Sequence, residues 1–148
     1  MSWKLVCLMG KDKELESIRA KKLREMVRRS QGESKQHREE GGIVTLTSSN
    51  FYEFIRNATI PVLVDFWAEW CMPCLMMEPV FEGLARDYAG KALFVRLNVD
   101  ENSTIARQFD IMSIPLFIIF NDGRPIERIL GAVGRGVLER ALQKYIGI

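Results

Sequence analysis

The pentapeptide Trp70-Cys71-Met72-Pro73-Cys74, set directly after the apolar run Val62-Leu63-Val64-Asp65-Phe66-Trp67, constrains this chain more than any other feature. A continuous run of this kind suits a strand buried on both faces. Pro73 suits the first turn of a helix, where its missing N–H would have had no acceptor. Two cysteines three apart can close a disulfide only if the backbone between them turns like a helix. That spacing gives about 300° of rotation and a rise of about 4.5 Å, which leaves the Cα atoms about 5 Å apart and within disulfide range. The leading thiol then sits at the positive end of the helix, which favours thiolate, and only the thiolate attacks sulfur. The segment therefore predicts a strand, a turn and a helix. It carries a nucleophile, Cys71, exposed at the helix start, and a resolving thiol, Cys74, shielded one turn in.

Other uses of the pair are weaker. A zinc site needs four ligands, and the remaining candidates, Cys7 and His37, are isolated from each other, so no metal is expected. A purely structural bridge is disfavoured because closing a three-residue loop removes little entropy from the unfolded chain. Cys7 itself reads as a small apolar residue, with an intermolecular crosslink or a redox-sensing thiol as alternatives.

The charges divide the chain. Residues 1–42 hold 11 Lys and Arg against 7 Asp and Glu, a net of +4, while residues 43–148 hold 10 against 12, a net of −2. The run Leu5 to Met9 is too short for a secretion signal and is followed by charged sequence. No stretch reaches the roughly 20 apolar residues of a membrane span. A redox pair without a signal points to a reducing, cytoplasmic setting, and no stable membrane insertion is expected.

Within the extension, Leu15, Ile18, Leu23, Met26 and Val27 make a ragged apolar stripe at helical spacing, beside Lys21, Lys22, Arg24, Arg28 and Arg29. Ser30 to Gly42 reads as a polar, glycine-punctuated linker. The helix either packs on the domain, stays partly disordered, or docks a partner. Nucleic-acid binding is not expected, because the positive charge is diluted by acids.

From Ile43 onward, strands are expected at Ile43–Thr47, Pro61–Trp67, Ala92–Val99, Leu116–Phe120 and Ile126–Leu130, the last two joined by the turn Asn121-Asp122-Gly123. Helices are expected at Asn50–Asn57, capped by Ser49 or Asn50, and at Ser103–Phe109 and Gly136–Tyr145. Another is expected at Pro73–Tyr88, bent at Pro79. This describes an α/β domain with a central mixed sheet and helices on both faces, preceded by a helical N-terminal extension. Asp65 is the odd member of its apolar run. Buried, its carboxyl would hold its proton more tightly than usual; the alternative is a strand end in contact with water.

Ile60 to Cys74 resembles the active-site strand, turn and helix start of the thioredoxin family. The match continues in order through Pro79, Asn98-Val99-Asp100, Ile114-Pro115, Asp122-Gly123 and Gly131-Ala132, and spans about residues 43–148. The resemblance implies the thioredoxin fold for this domain, and a protein-disulfide reductase that works through a redox-active Cys71–Cys74 pair. It implies that Asp65 exchanges protons with Cys74, and that Pro115 is a cis proline beside the dithiol. It further implies a client surface of Trp70, Met72, Pro73, Ile114, Gly131 and Ala132, with the Ile114 backbone pairing an extended client. Trp67 reads as core support.

The implied partners are a thioredoxin reductase and disulfide-containing client proteins; a monomer without cofactor is expected. Two departures stand out. Met72 replaces the glycine usual before the proline, and Arg96 stands where the family usually has a lysine, although arginine cannot lose its proton. The competing readings are a protein-disulfide oxidase or isomerase, and a dedicated partner-binding redox module docked through the N-terminal helix.

Overall fold

Alternation along the apolar run sets the architecture, because successive side chains of a strand point to opposite faces. In the computed structural model, which describes residues 14–28 and 42–146, strand β2 (Val62–Trp67) is the middle of a five-stranded sheet. The order is β1-β3-β2-β4-β5, with β1 at Ile43–Thr45, β3 at Leu93–Asn98, β4 at Leu116–Asn121 and β5 at Arg124–Leu130. β3 pairs in parallel with both β1 and β2, while β4 runs antiparallel to β2 and β5 antiparallel to β4.

Val62, Val64 and Phe66 face one side. There they meet Leu93, Val95 and Leu97 of β3, Leu116, Ile118 and Phe120 of β4, and helices α2 (Phe51–Asn57) and α5 (Ser103–Gln108). Leu63 faces the other side with Phe94, Phe117 and Ile119, beneath α4 (Glu78–Asp87) and α6 (Arg135–Gln143). The mixed sheet covered on both faces is the thioredoxin fold implied by the sequence.

Local chemistry sets the boundaries. Asn121 pairs with Arg124 across the two-residue turn Asp122-Gly123, whose φ angles of 52° and 77° are those that Asp and Gly tolerate at a hairpin tip. The expected active-site helix is divided rather than bent. α3 covers Met72–Met76, Met77 ends it and caps the next helix, and Pro79 sits in the first turn of α4, where a proline is best tolerated. Asn50 caps α2 by position, but its side-chain oxygen accepts from the Thr47 N–H at 2.7 Å instead of from the helix.

The chain divides into two units, the first ending at Gln36. In the first, residues 14–28 form helix α1, and every side chain on it is exposed, including the stripe Leu15, Ile18, Leu23, Met26 and Val27. The segment with Cys7, and the linker with His37 as far as Gly41, lie outside the described residues. No helix among the described residues is long and apolar enough to cross a membrane.

Candidate active site

β2 delivers the chain to the dithiol. After Trp67 the backbone turns through Ala68, which accepts the Cys71 N–H at 3.2 Å, and α3 begins at the next residue. Cys71 is the N-cap of α3, and its Sγ accepts the Cys74 N–H at 3.3 Å. The two cysteines are bridged, with Cα atoms 5.3 Å apart, as one helical turn requires. α3 is only five residues long. The bridged Cys71 sulfur thus receives one directed backbone N–H at the start of a short helix.

One expectation is corrected. Cys71 is not exposed: it is 3% accessible, against 0% for Cys74. Both sulfurs belong to a small cluster with Ala68, packed by Trp67, Val99 and Ile114, so a client must reach Cys71 at an edge.

The loop at Ile114-Pro115 brings distant sequence to that edge. Its peptide bond is cis, Pro115 is buried, and half-buried Ile114 packs against the cluster that holds both cysteines. The Pro115 carbonyl accepts the Gly131 N–H at 2.9 Å, which anchors Gly131-Ala132 beside the proline. Gly131 has φ +97°, a conformation that side chains disfavour. Trp70, Met72 and Pro73 are exposed on the dithiol segment, with Trp70 69% accessible and its indole N–H donating to Asp100 Oδ2 at 2.7 Å. Met76 is exposed one turn beyond Met72 on α3, a neighbour at helical spacing.

Asp65 is fully buried, which removes the alternative of a solvated strand end. Its register partner across β2 and β3 is Arg96, whose Nε lies 3.5 Å from Asp65 Oδ2. That is an ion-pair distance, and neither Asp65 oxygen has an aligned hydrogen-bond donor among the described residues. Burial drives the Asp65 pKa from 3.8 up to about 7; Arg96 opposes the rise and Glu78 adds to it. The Arg96 guanidinium also lies 2.8 Å from Glu78 Oε1 and 4.2 Å from the centroid of the Trp67 ring. Trp67 is half-buried and packs against both the dithiol cluster and Arg96, as core support would.

Glu78 and Asp100 had no assigned part in the sequence reading. The contacts that reveal them join residues 18 and 30 positions apart, beyond the reach of local periodicity. Among the described residues, no group of three or more His, Cys, Asp or Glu side chains could hold a metal ion.

Comparison with known proteins gives a consistent result. The family model described as Thioredoxin matches residues 42–144. A thioredoxin of Staphylococcus haemolyticus is 47% identical over 104 residues, covering 70% of this chain and 98% of that protein. A thioredoxin of Chlorobaculum thiosulfatiphilum is 45% identical over 101 residues, covering 68% and 94%. Among solved structures, a single-residue mutant of a thioredoxin from Halobacterium salinarum NRC-1 matches with a TM-score of 0.68 at 27% identity, covering 74% of this chain and 96% of that one.

Proposed function

Because the chain belongs to the thioredoxin family and is a protein-disulfide reductase acting through Cys71 and Cys74, we propose the following division of labour among its residues. The reduced Cys71 thiolate attacks one sulfur of a client disulfide. A mixed disulfide forms and the other client sulfur leaves as a thiolate, which takes up a proton. Cys74 then loses its proton to Asp65 and attacks the Cys71 sulfur. The Cys71–client bond breaks, and the second client sulfur leaves as a thiolate that takes up a proton as Asp65 gives up the one it received. The client thus departs as a dithiol, and the Cys71–Cys74 bridge remains. Two electrons and two protons from a thioredoxin reductase restore the dithiol, as is standard for the family.

The observation that carries this reading is the bridged pair at the start of α3, packed against Ile114 of the cis-proline loop. Cys71 is the nucleophile because its sulfur caps the helix and receives the Cys74 N–H. An extended client lies along Ile114 and Pro115, with Trp70, Met72, Pro73, Gly131 and Ala132 around the point of attack. Met72 adds a flexible thioether to that surface, suited to clients of varied shape. We take residues 1–42 as an extension and 43–148 as the catalytic domain. We take the protein to act in the cytoplasm as a monomer, with no cofactor, nucleic acid or stable membrane insertion in its working cycle.

The role assignment is tested by trapping. Cys74→Ser should attack clients and accumulate stable mixed disulfides, because nothing resolves them; Cys71→Ser should form none and lose all reductase activity. Crosslinks accumulating in Cys71→Ser instead would reverse the roles.

A further inference from the structure

Arg96 is shared between two carboxylates, and the sharing is unequal. Its guanidinium is closer to Glu78, at 2.8 Å, than to Asp65, at 3.5 Å. The Trp67 ring at 4.2 Å supports it from the side, an arrangement that favours a cation over an aromatic face. Glu78 belongs to the first turn of α4 and is partly open to solvent, whereas Asp65 is sealed within the sheet.

The groups that meet Asp65 can be named element by element. β3 supplies Arg96, α4 supplies Glu78, and β4 places the uncharged Phe117 in register with it. α3 and its cap carry no charged side chain, only the two cysteines. A guanidinium is a rigid fork that binds one carboxylate best when two of its nitrogens face it. Arg96 does not do this for Asp65: only Nε lies within ion-pair range of it, while the terminal Nη2 lies within ion-pair range of Glu78, neither contact having the alignment of a hydrogen bond.

We propose that Glu78 is a positioning residue for the resolving step: it draws the Arg96 guanidinium away from full pairing with Asp65, and so governs how readily Asp65 takes up and releases the proton of Cys74. The proposal rests on the reading of Asp65 as the proton partner of Cys74. Removing the Glu78 charge acts twice in one direction. It deletes a negative neighbour that disfavours ionised Asp65, and it frees Arg96 to bind Asp65 through two nitrogens. Both effects make Asp65 a stronger acid and a weaker base. A lysine at position 96 would present all its donors from one nitrogen, so the switch between one- and two-nitrogen pairing with Asp65 belongs to arginine.

The test uses the reduced full-length protein with carbon-13-labelled aspartate, titrated by NMR from acid to alkaline pH. A parallel set measures the pH profile of client release in single turnovers. Glu78→Gln should lower the Asp65 midpoint by about one pH unit, in line with an opposite charge brought into contact, and move the release profile the same way. Glu78→Asp, which keeps the charge, should leave both near the original values. A role confined to stability would change the melting temperature and leave the midpoints in place. An Asp65 midpoint that does not move in Glu78→Gln overturns the positioning role. A midpoint that moves while the release profile stays fixed overturns instead the proton-partner reading of Asp65.

Discussion

On the α2–α5 face of the sheet no charged side chain is buried among the described residues, the uncharged Asn102 at the cap of α5 being the polar exception, whereas on the α4–α6 face apolar contacts give way to charge as the strands approach the dithiol. The change can be followed in register. Leu63 lies beside Phe94, then Asp65 beside Arg96, then Trp67 beside Asn98. On the opposite face, the same strands offer Val62, Val64 and Phe66 against Leu93, Val95 and Leu97. Neighbouring residues such as Val64 and Asp65 thus serve different ends: one anchors the sheet, and the other buries a costly carboxyl on the strand that leads to the dithiol. A slip of one residue would exchange the two faces, so the apolar face also fixes where the charge appears.

The strongest challenge to this division is to weaken the apolar face alone. Phe51 is fully buried and meets Tyr52, Phe109 and Phe120 edge to face at 5.5–5.6 Å. Phe51→Ala should destabilise the domain by roughly 3–5 kcal/mol, measured by denaturant unfolding. The reduction rate per folded molecule should stay unchanged. A rate that falls well beyond the folded fraction would show that the faces are not separable.

A smaller effect is expected from the extension. If the chemistry resides wholly in the sheet and its helices, deleting residues 1–42 should leave reduction of a small model disulfide close to the full-length rate. The exposed stripe on α1 would then be read through the capture of protein clients, not through turnover. A truncated chain that cannot fold, or that lacks dithiol activity, would move the domain boundary toward the N-terminus.

What the sequence disclosed follows from the range of the forces involved. β2 was legible because burial on both faces demands an unbroken apolar run, and the β4–β5 turn because Asp122-Gly123 satisfies a local backbone requirement. The cis bond at Pro115 was legible only through family resemblance, since X-Pro sequences are mostly trans. The burial of Cys71 is not legible locally because its cover includes Ile114, 43 residues away. The split at Met77 was missed because a proline in a first turn and a proline that bends a longer helix give the same local pattern. Arg96 stands out in the sequence as a departure, but its tie to Glu78 crosses from β3 to α4 and leaves no periodic trace.

The central claim is that one face of the sheet carries a buried carboxyl at a cost in stability, and it is tested most directly by unfolding the oxidised protein across pH. With a pKa of 3.8 when unfolded and about 7 when folded, Asp65 holds its proton more tightly in the native state. Its contribution to stability is therefore fully present below about pH 4, declines as pH rises toward 7, and is constant above. Oxidised Asp65→Asn lacks this titration. The stability of Asp65→Asn relative to the unmodified protein should rise between pH 4 and pH 7 by an amount on the order of 4 kcal/mol. Two stability curves that run parallel from pH 4 to pH 8 would contradict the account.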